Sequence, residues 1–388
     1  MDPQQHRVIE PQPGNLKDTG SFVGREAVTR RARERLTVGA NLLLTDFRRM
    51  GKTFWMHAFA QRESAFIPYL IDYEGKSTTE EFLTTTAKAL ASNPDLSTRA
   101  RRHLATMFKH VDSVGVPGFI TLKAYHANTP PLELLTSTLQ ILDEDDNERI
   151  PLVLMDEVPM AVSLIAENEG PQTAKGLLQT LRGLRQATTR VRWIVTGSIG
   201  FHHVLRRAGT TSGDISDLEP LHLGPMPEAE SRELAQALLR GIHQIPYDSL
   251  VEELVDISGG IPAIMHQVLD IIGLEGDGVT KPQDVRDAFE TMIDDPDTFR
   301  QFKQFVERVH IYYGPHTAFA EQVLNITSEA QPNAWVPTTD LPSGQDLETV
   351  IELLCSDHYL ERYGSRVRWI YPAFSYIWAR KHNLVDRP

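Results

Sequence analysis

The sequence is poor in cysteine, in long apolar runs and in positive charge. Its one cysteine, Cys355, can form no intrachain disulfide, and with no second cysteine nearby it does not indicate a metal site. No segment reaches the roughly 18 apolar residues that a membrane helix needs, and the N-terminus lacks the apolar region of a signal peptide. We therefore expect a cytoplasmic protein that has no membrane partner.

The formal net charge of −13 excludes a second class of protein. Phosphate binding needs clustered Lys and Arg, so this charge argues against a protein that coats nucleic acid over its whole surface, although local basic patches are compatible with it. With 41% hydrophobic and 23% charged residues, the composition is that of an ordinary globular protein. A chain of 388 residues suits two or three domains.

Short apolar segments alternate with helical ones in the first 226 residues. The segments read as strands are Asn41–Thr45, Phe66–Asp72, Pro151–Asp156 and Val191–Thr196, with Leu221–Leu223 as the candidate for a fifth. Apolar strands separated by helices are what a parallel sheet buried on both faces requires. A helix is expected before the first strand, roughly over Glu26–Thr37.

Beyond Pro227 the pattern becomes helical. Three helices are expected at Glu228–Ile242, Tyr247–Ile257 and Ile261–Ile272, followed by more helices and a β-hairpin around Gly364. The predicted boundaries are a flexible leader at 1–20, an α/β core at 21–226 with an insertion at about 93–128, a helical region at 227–296 and a last domain at 297–388. We interpret the fold as α/β, with a parallel-sheet core followed by helical domains.

A loop between the first predicted strand and the next helix has the pattern of a phosphate loop. Asp46–Thr53 matches GxxxxGK[ST] at every fixed position except the first, where Asp46 stands in place of Gly. The backbone N–H groups of Arg48, Arg49, Met50 and Gly51 would surround the phosphates of ATP. Lys52 would reach the β- and γ-phosphates, and the Thr53 hydroxyl would bind Mg²⁺. The alternative, a chance match in a surface turn, fits the strand–loop–helix context less well.

Asp46 is the departure from the motif. A carboxylate that faced a triphosphate would repel it, so we expect Asp46 to turn outward or to pair with Arg48 or Arg49. This residue lowers the turnover that we expect but leaves nucleotide binding as the prediction.

A second motif is the apolar segment Leu152–Met155 followed by Asp156 and Glu157, a Walker B pattern. Asp156 would hold Mg²⁺, and Glu157 would orient and deprotonate the attacking water. Such a segment is common in purely structural strands, but the upstream phosphate loop favours the functional interpretation.

The predicted strand that ends at Thr196 supplies two candidates for the sensor of the γ-phosphate, Thr196 and Ser198. The choice between them stays open, since either residue could simply begin a turn. Arg206 and Arg207 follow on a predicted helix. One of them could reach a neighbouring subunit's nucleotide as an arginine finger, although two solvated arginines are the more ordinary interpretation.

Five segments together resemble the archaeal ATPase family, which occurs in archaea and bacteria and belongs to the STAND branch of AAA+-related NTPases. In order, they are Phe22–Glu26, Arg48–Thr53, Leu154–Glu157, Thr196–Gly200 and Gly259–Pro262. The resemblance covers roughly Phe22–Tyr371, and the ordered set is more specific than any single member.

This resemblance implies an ASCE-type P-loop NTPase core, a helical lid and a C-terminal winged helix. It also implies that Phe22, Val23 and Arg25 border the adenine and that Pro262 touches the nucleotide from the lid. The alternative for Pro262 is a plain turn between two helices. In the predicted wing, Arg362, Arg366 and Arg368 cluster, which keeps local phosphate contact open although the last domain has no general excess of basic residues.

Three functional hypotheses follow. The leading one is a slow ATPase that acts as a nucleotide switch and changes what its C-terminal domain contacts, with a monomer and a homo-oligomer both left open. The second is an initiator or regulator that uses ATP to load on DNA. The third is a nucleotide-binding scaffold with little hydrolysis, which Asp46 favours. The partner, protein or DNA, is not identified by the sequence.

Overall fold

The computed structural model describes residues 7–14, 19–92, 97–107, 130–197, 200–275, 281–331 and 333–385. The chain divides into two compact units. We call Glu26–Thr45 with Trp55–His222 the sheet unit, and Met1–Arg25 with Asp46–Phe54 and Leu223–Pro388 the C-terminal unit. None of the described helices is long and apolar enough to cross a membrane.

The sheet unit contains a five-stranded parallel sheet. Its strands are β1 (Asn41–Leu44), β2 (Phe66–Asp72), β3 (Ile150–Asp156), β4 (Arg192–Thr196) and β5 (Leu218–Leu221). Their order is β2-β3-β4-β1-β5, so β4 lies between β1 and β3. The α/β core with its parallel sheet is confirmed, and β5 begins three residues before its predicted position.

Helices connect these strands. They are α1 (Glu26–Thr37), α2 (Lys52–Arg62), α3 (Thr79–Ala91), α4 (Thr98–Met107), α5 (Pro131–Asp143), α6 (Val158–Asn168), α7 (Pro171–Ala187) and α8 (Phe201–Arg207). The predicted insertion at about 93–128 includes α4, whereas its residues 108–128 lie outside the described residues.

The C-terminal unit is mainly helical. Its helices are α9 (Glu228–Gly241), α10 (Asp248–Ser258), α11 (Pro262–Glu275), α12 (Pro282–Asp294), α13 (Pro296–Phe299), α14 (Lys303–Tyr312), α15 (Thr317–Glu329), α16 (Leu347–Ser356) and α17 (Pro372–Lys381). A small antiparallel sheet has the order β6-β8-β7, formed by β6 (Val336–Pro337), β7 (Leu360–Tyr363) and β8 (Arg366–Trp369). The predicted hairpin around Gly364 is therefore present.

The loop Asp46–Phe54 belongs by its contacts to the C-terminal unit, although the sequence places it inside a core at 21–226. The reason is hydrophobic burial: Phe47 and Met50 are almost fully buried in the same apolar cluster as Leu238, Met265 and Trp378. The predicted lid and last domain also share this cluster, so the C-terminal unit has one continuous core.

Part of the leader is packed. Ile9 is buried, and its N–H donates to the carbonyl of Ala237 in α9 at 3.0 Å. The N–H of Gln12 donates to Nδ1 of His266 in α11 at 3.1 Å. The sequence predicts a flexible leader, but the buried isoleucine side chain and these two hydrogen bonds hold residues 7–14 against the helices.

Candidate functional site

In the sheet unit, strand ends bring the predicted polar residues to one edge. Leu44, the last residue of β1, pairs in register with Thr196 of β4, and Met155 pairs with Val195. Asp156 is therefore level with Thr196 at the carboxyl edge of the sheet. In open parallel sheets this edge is where ligands bind.

The two carboxylates of the Walker B segment lie in a strained turn. Asp156 ends β3, is 8% exposed, and accepts a hydrogen bond from the N–H of Glu157 at 2.9 Å. Glu157 has φ 57° and ψ 28°, a left-handed conformation that costs a non-glycine residue about 1 kcal/mol or more. Strain of this kind concentrates at functional sites, where surrounding structure maintains it.

Thr196 and Gly197 are packed tightly beside that turn. The fully buried hydroxyl of Thr196 donates to the carbonyl of Leu44 at 2.8 Å. A Cβ on Gly197 would lie 2.3 Å from Cδ of Pro159, so only glycine lets the chain pass the first turn of α6 here. The end of β4 is thereby packed against Pro159, which follows Glu157 by two residues in the sequence.

Two arginines of α8 are further candidates from this part of the sequence. Arg207 forms an ion pair with Glu167 of α6 at 2.6 Å and donates to Oγ of Ser163 at 2.8 Å. Arg206 is exposed, with a guanidinium nitrogen 3.4 Å from Nδ1 of His203. Ser198 lies outside the described residues.

In the C-terminal unit, two residues of the loop Asp46–Thr53 have left-handed backbone conformations. Gly51 has φ 87°, and Arg49 has φ 74°. Lys52 begins α2, is 7% exposed, and donates from Nζ to the carbonyls of Asp46 at 2.6 Å and Phe47 at 2.7 Å. The first two residues of the loop therefore fix the position of the lysine ammonium.

The arginines of the loop differ in their surroundings. Arg48 is exposed and hydrogen bonds to the side chain of Gln304. Arg49 is half-buried, and within the described part of the chain its buried Nε has no hydrogen-bond partner. Burial lowers the pKa of Arg49, and the charge of Arg48 lowers it further. A phosphate group would satisfy this donor and offset both effects, so the loop fits an anionic ligand.

Asp46 adopts neither of the arrangements expected from the sequence. It is 6% exposed, Oδ2 accepts from the N–H of Leu223 at 2.6 Å, and Oδ1 accepts from the hydroxyl of Tyr371 at 3.2 Å. Burial, and then the charge of Asp46, hold the pKa of Tyr371 well above its ordinary value, so the hydroxyl keeps its proton and donates. The carboxylate is turned into the protein rather than outward or toward Arg48 or Arg49.

Arg25 also contacts this loop. Its buried guanidinium donates to the carbonyls of Leu223 and Gly224, each at 2.8 Å, and of Met50 at 3.3 Å. Burial lowers the pKa of Arg25, while the charges of Asp46 and other acids nearby raise it. Arg25 thus joins the loop to the segment that follows β5.

The other residues expected near the adenine are apolar or half-buried. Phe22 is buried with its ring 5.4 Å from that of Phe54 in the first turn of α2, and Val23 belongs to the large apolar cluster. Pro262 is the first residue of α11, one residue after the predicted start at Ile261, and it follows Gly259 and Gly260 in left-handed conformations. Their contact with a nucleotide stays a prediction.

Sequence reasoning missed the residues that hold the loop from a distance. Tyr371 is 325 residues from Asp46, and no motif links the two. Phe47 occupies a variable position of the phosphate-loop pattern, where a buried aromatic ring is not a feature of the motif. Only the tertiary structure identifies these contacts.

Comparison with solved structures supports the fold. The structure is similar to a Walker-type ATPase of Pyrococcus abyssi, with a TM-score of 0.60 and 16% identity over 92% of this chain and 96% of the other. Weaker similarity extends to the ORC2 protein of Aeropyrum pernix in complexes with ADPNP and ADP, with a TM-score of 0.47 and 15% identity over 98% of both chains. Cdc6p of Pyrobaculum aerophilum gives a TM-score of 0.39 and 12% identity over 96% of this chain and 100% of the other.

No protein-family model matches the sequence, and no curated protein is significantly similar to it. At 16% identity, the likeness to the Pyrococcus abyssi protein shows that the two chains share a fold. The fold, the sheet edge and the loop are the features from which a function can be inferred.

Proposed function

We propose that this protein binds ATP with Mg²⁺ and hydrolyses it slowly, as a nucleotide-dependent switch of the AAA+/STAND type. The observation that carries the proposal is the loop Asp46–Thr53, in which a left-handed Gly51 precedes Lys52 at the start of α2. The loop follows β1, whose neighbour β4 separates it from the strand that carries Asp156. Strand order and loop geometry together support the proposal of an ASCE-type nucleotide site.

The loop supplies the groups that would bind the phosphates. Its backbone N–H groups and the N-terminus of α2 favour negative charge, and Lys52 adds a cation whose position is already fixed. Arg49 offers a buried donor for the same anion. The hydroxyl of Thr53, an exposed residue in the first turn of α2, is the group that we assign to Mg²⁺ together with Asp156.

Mg²⁺, when bound, neutralises charge that develops between the β- and γ-phosphates. Glu157 is the residue that we assign to orienting and deprotonating the attacking water. Its left-handed backbone, next to the tightly packed Gly197 and Pro159, supports a fixed side-chain direction. Thr196 or Ser198 would sense the γ-phosphate, and Arg206 or Arg207 would act only in a homo-oligomer.

The C-terminal unit would report the nucleotide state. We interpret α9–α12 as the lid, with Pro262 at its nucleotide-facing turn, and the remainder, including the β6-β8-β7 sheet, as a winged helix. Phe22, Val23 and Arg25 would border the adenine. The lid would close when ATP binds and open again after hydrolysis. This change would alter which partner the C-terminal unit contacts.

A protein partner is favoured over DNA. Among the three wing arginines, Arg362 pairs with Glu348 at 2.5 Å, and Arg368 pairs with Glu361 at 2.5 Å. The Arg368 guanidinium also lies 4.5 Å from the ring of Trp335. These two arginines add little net positive charge to a phosphate-binding surface, since the neighbouring carboxylates offset their charges.

Lys52→Ala tests the proposal, with Lys175→Ala on α7 as the matched control. Loss of the ammonium removes the side-chain cation aimed at the β- and γ-phosphates, so we expect no measurable ATP binding by titration calorimetry and no hydrolysis. The control should bind and hydrolyse ATP as the parent does. Hydrolysis by Lys52→Ala at the parental rate would show that the loop is not the nucleotide site.

A further inference from the structure

Two successive residues of the phosphate loop are held by the part of the chain beyond residue 300. The carboxylate of Asp46 accepts a hydrogen bond from the hydroxyl of Tyr371, which lies between β8 and α17. The second carboxylate oxygen accepts from the N–H of Leu223. A glycine, the residue usual at this motif position, could receive neither bond.

Phe47 is enclosed by aromatic rings of the same region. Its ring centroid lies 5.0 to 5.5 Å from those of Phe305, Tyr359, Tyr371 and Phe374, in edge-to-face arrangements. The guanidinium carbon of Arg308 lies 5.8 Å from the centre of the Phe47 ring. Edge-to-face packing is directional, so these contacts fix the orientation of Phe47 as well as its burial.

These anchored residues are also the ones that hold Lys52. Nζ of Lys52 donates hydrogen bonds to the carbonyl oxygens of Asp46 and Phe47. Each residue therefore binds the C-terminal region through its side chain and the lysine through its backbone. A shift of Tyr371 or of the aromatic rings would move the two carbonyls and, with them, the ammonium group.

We propose that Tyr371 and Phe47 form a latch through which the C-terminal region positions Lys52 and thereby sets the affinity for nucleotide. The proposal rests on the nucleotide-binding function proposed above and adds a residue to it. Tyr371 is a positioning residue that acts through Asp46. A protein that displaces the region around Tyr371 would loosen the loop and release the nucleotide.

Tyr371→Phe and Tyr359→Phe form a matched pair of variants for the test. Both tyrosines are buried and pack on Phe47, and both donate a hydrogen bond, Tyr371 to Asp46 and Tyr359 to the carbonyl of Phe305 at 2.6 Å. Each substitution keeps the ring and removes one hydroxyl. Only the first breaks a bond to the phosphate loop.

ATP titration of the full-length proteins with Mg²⁺ should show a loss of about tenfold in affinity for Tyr371→Phe, or about 1.4 kcal/mol. Tyr359→Phe should stay within twofold of the parent. In an Asp46→Gly background, Tyr371→Phe should change affinity less than twofold, since its partner is already absent. An equal loss for both tyrosine variants, no loss for either, or a tenfold loss without the Asp46 carboxylate would overturn the latch.

Hydrogen exchange in the nucleotide-free protein separates this proposal from the proposed function. Tyr371→Phe should speed amide exchange in the peptide that spans residues 46–54 by about tenfold over both the parent and Tyr359→Phe. Unchanged exchange in this peptide would overturn the latch even if ATP binds. If the parent binds no ATP, the proposed function is wrong, and the exchange result alone decides whether the latch exists.

Discussion

The two regions that contain the candidate site residues hold them in different ways. At the sheet edge, Asp156 and Thr196 are positioned by the backbone ladder of parallel strands, and the Thr196 hydroxyl bonds to the neighbouring strand's Leu44. In the loop, Asp46 and Phe47 are positioned by side-chain contacts with residues more than 170 positions away, among them Leu223 and Tyr371.

This difference predicts different consequences of mutation. A ladder of main-chain hydrogen bonds survives the loss of one side chain, so substitutions at the sheet edge should alter chemistry more than folding. The loop depends on a few side chains whose partners lie in the hydrophobic core. Substitutions there should couple stability to nucleotide affinity, because the same residues serve both.

The largest effect that we expect is from Phe47→Ala. The ring is 2% exposed and lies among four other aromatic rings, so its removal leaves a cavity and should lower the free energy of unfolding by about 4 kcal/mol. Chemical denaturation measures the free energy of unfolding, and ATP titration of the folded variant measures the affinity for nucleotide. Phe54→Ala, in the same unit but half-buried, is the control and should cost less than half as much. An equal loss of free energy of unfolding in both variants would contradict the conclusion that Phe47 anchors the loop.

The second effect isolates the sheet edge. Glu157→Gln keeps the size of the side chain and removes the base, so turnover should fall about a hundredfold while ATP affinity and unfolding stay near parental values. Single-turnover hydrolysis and ATP titration measure the two separately. A loss of ATP binding in a folded protein would contradict the division of labour between the loop and the strand ends.

The same contrast explains how much the sequence could predict. Apolar runs and helical periodicity predicted α1 at Glu26–Thr37 and four of the five strands to within one residue, because local periodicity determines such elements. The strand ends carried Asp156 and Thr196 to one edge, as the parallel-sheet prediction requires. The hairpin around Gly364 was also predicted from local turn signals.

Contacts between distant side chains could not be predicted in this way. From the sequence, Asp46 is expected to face outward or to pair with an adjacent arginine, since the sequence shows only which residues are neighbours along the chain. Its actual partners, Leu223 and Tyr371, come together only through the packing of the C-terminal core. For the same reason the leader was expected to be flexible, whereas Ile9 is buried against α9.

The smallest effect concerns Thr196 and decides a choice that the sequence leaves open. A sensor must donate a hydrogen bond to the γ-phosphate, but the proton of the Thr196 hydroxyl is already donated to the carbonyl of Leu44, and the side chain is fully buried. We therefore expect the sensor role to fall on Ser198. Thr196→Val should lower the free energy of unfolding by about 1 kcal/mol, the cost of one lost hydrogen bond, while turnover falls less than threefold.

Two companion variants make that measurement decisive. Thr196→Ser retains the hydroxyl and should keep most of the stability that Thr196→Val loses, which tests whether the bond to Leu44 is responsible. Ser198→Ala should reduce turnover by tenfold or more with ATP still bound, as loss of a group that contacts the γ-phosphate would. If Thr196→Val instead shows the tenfold loss of turnover and Ser198→Ala does not, Thr196 is the sensor. Its hydroxyl would then have to exchange the Leu44 carbonyl for the phosphate when ATP binds, and the sheet edge, like the loop, would depend on the contacts of individual side chains.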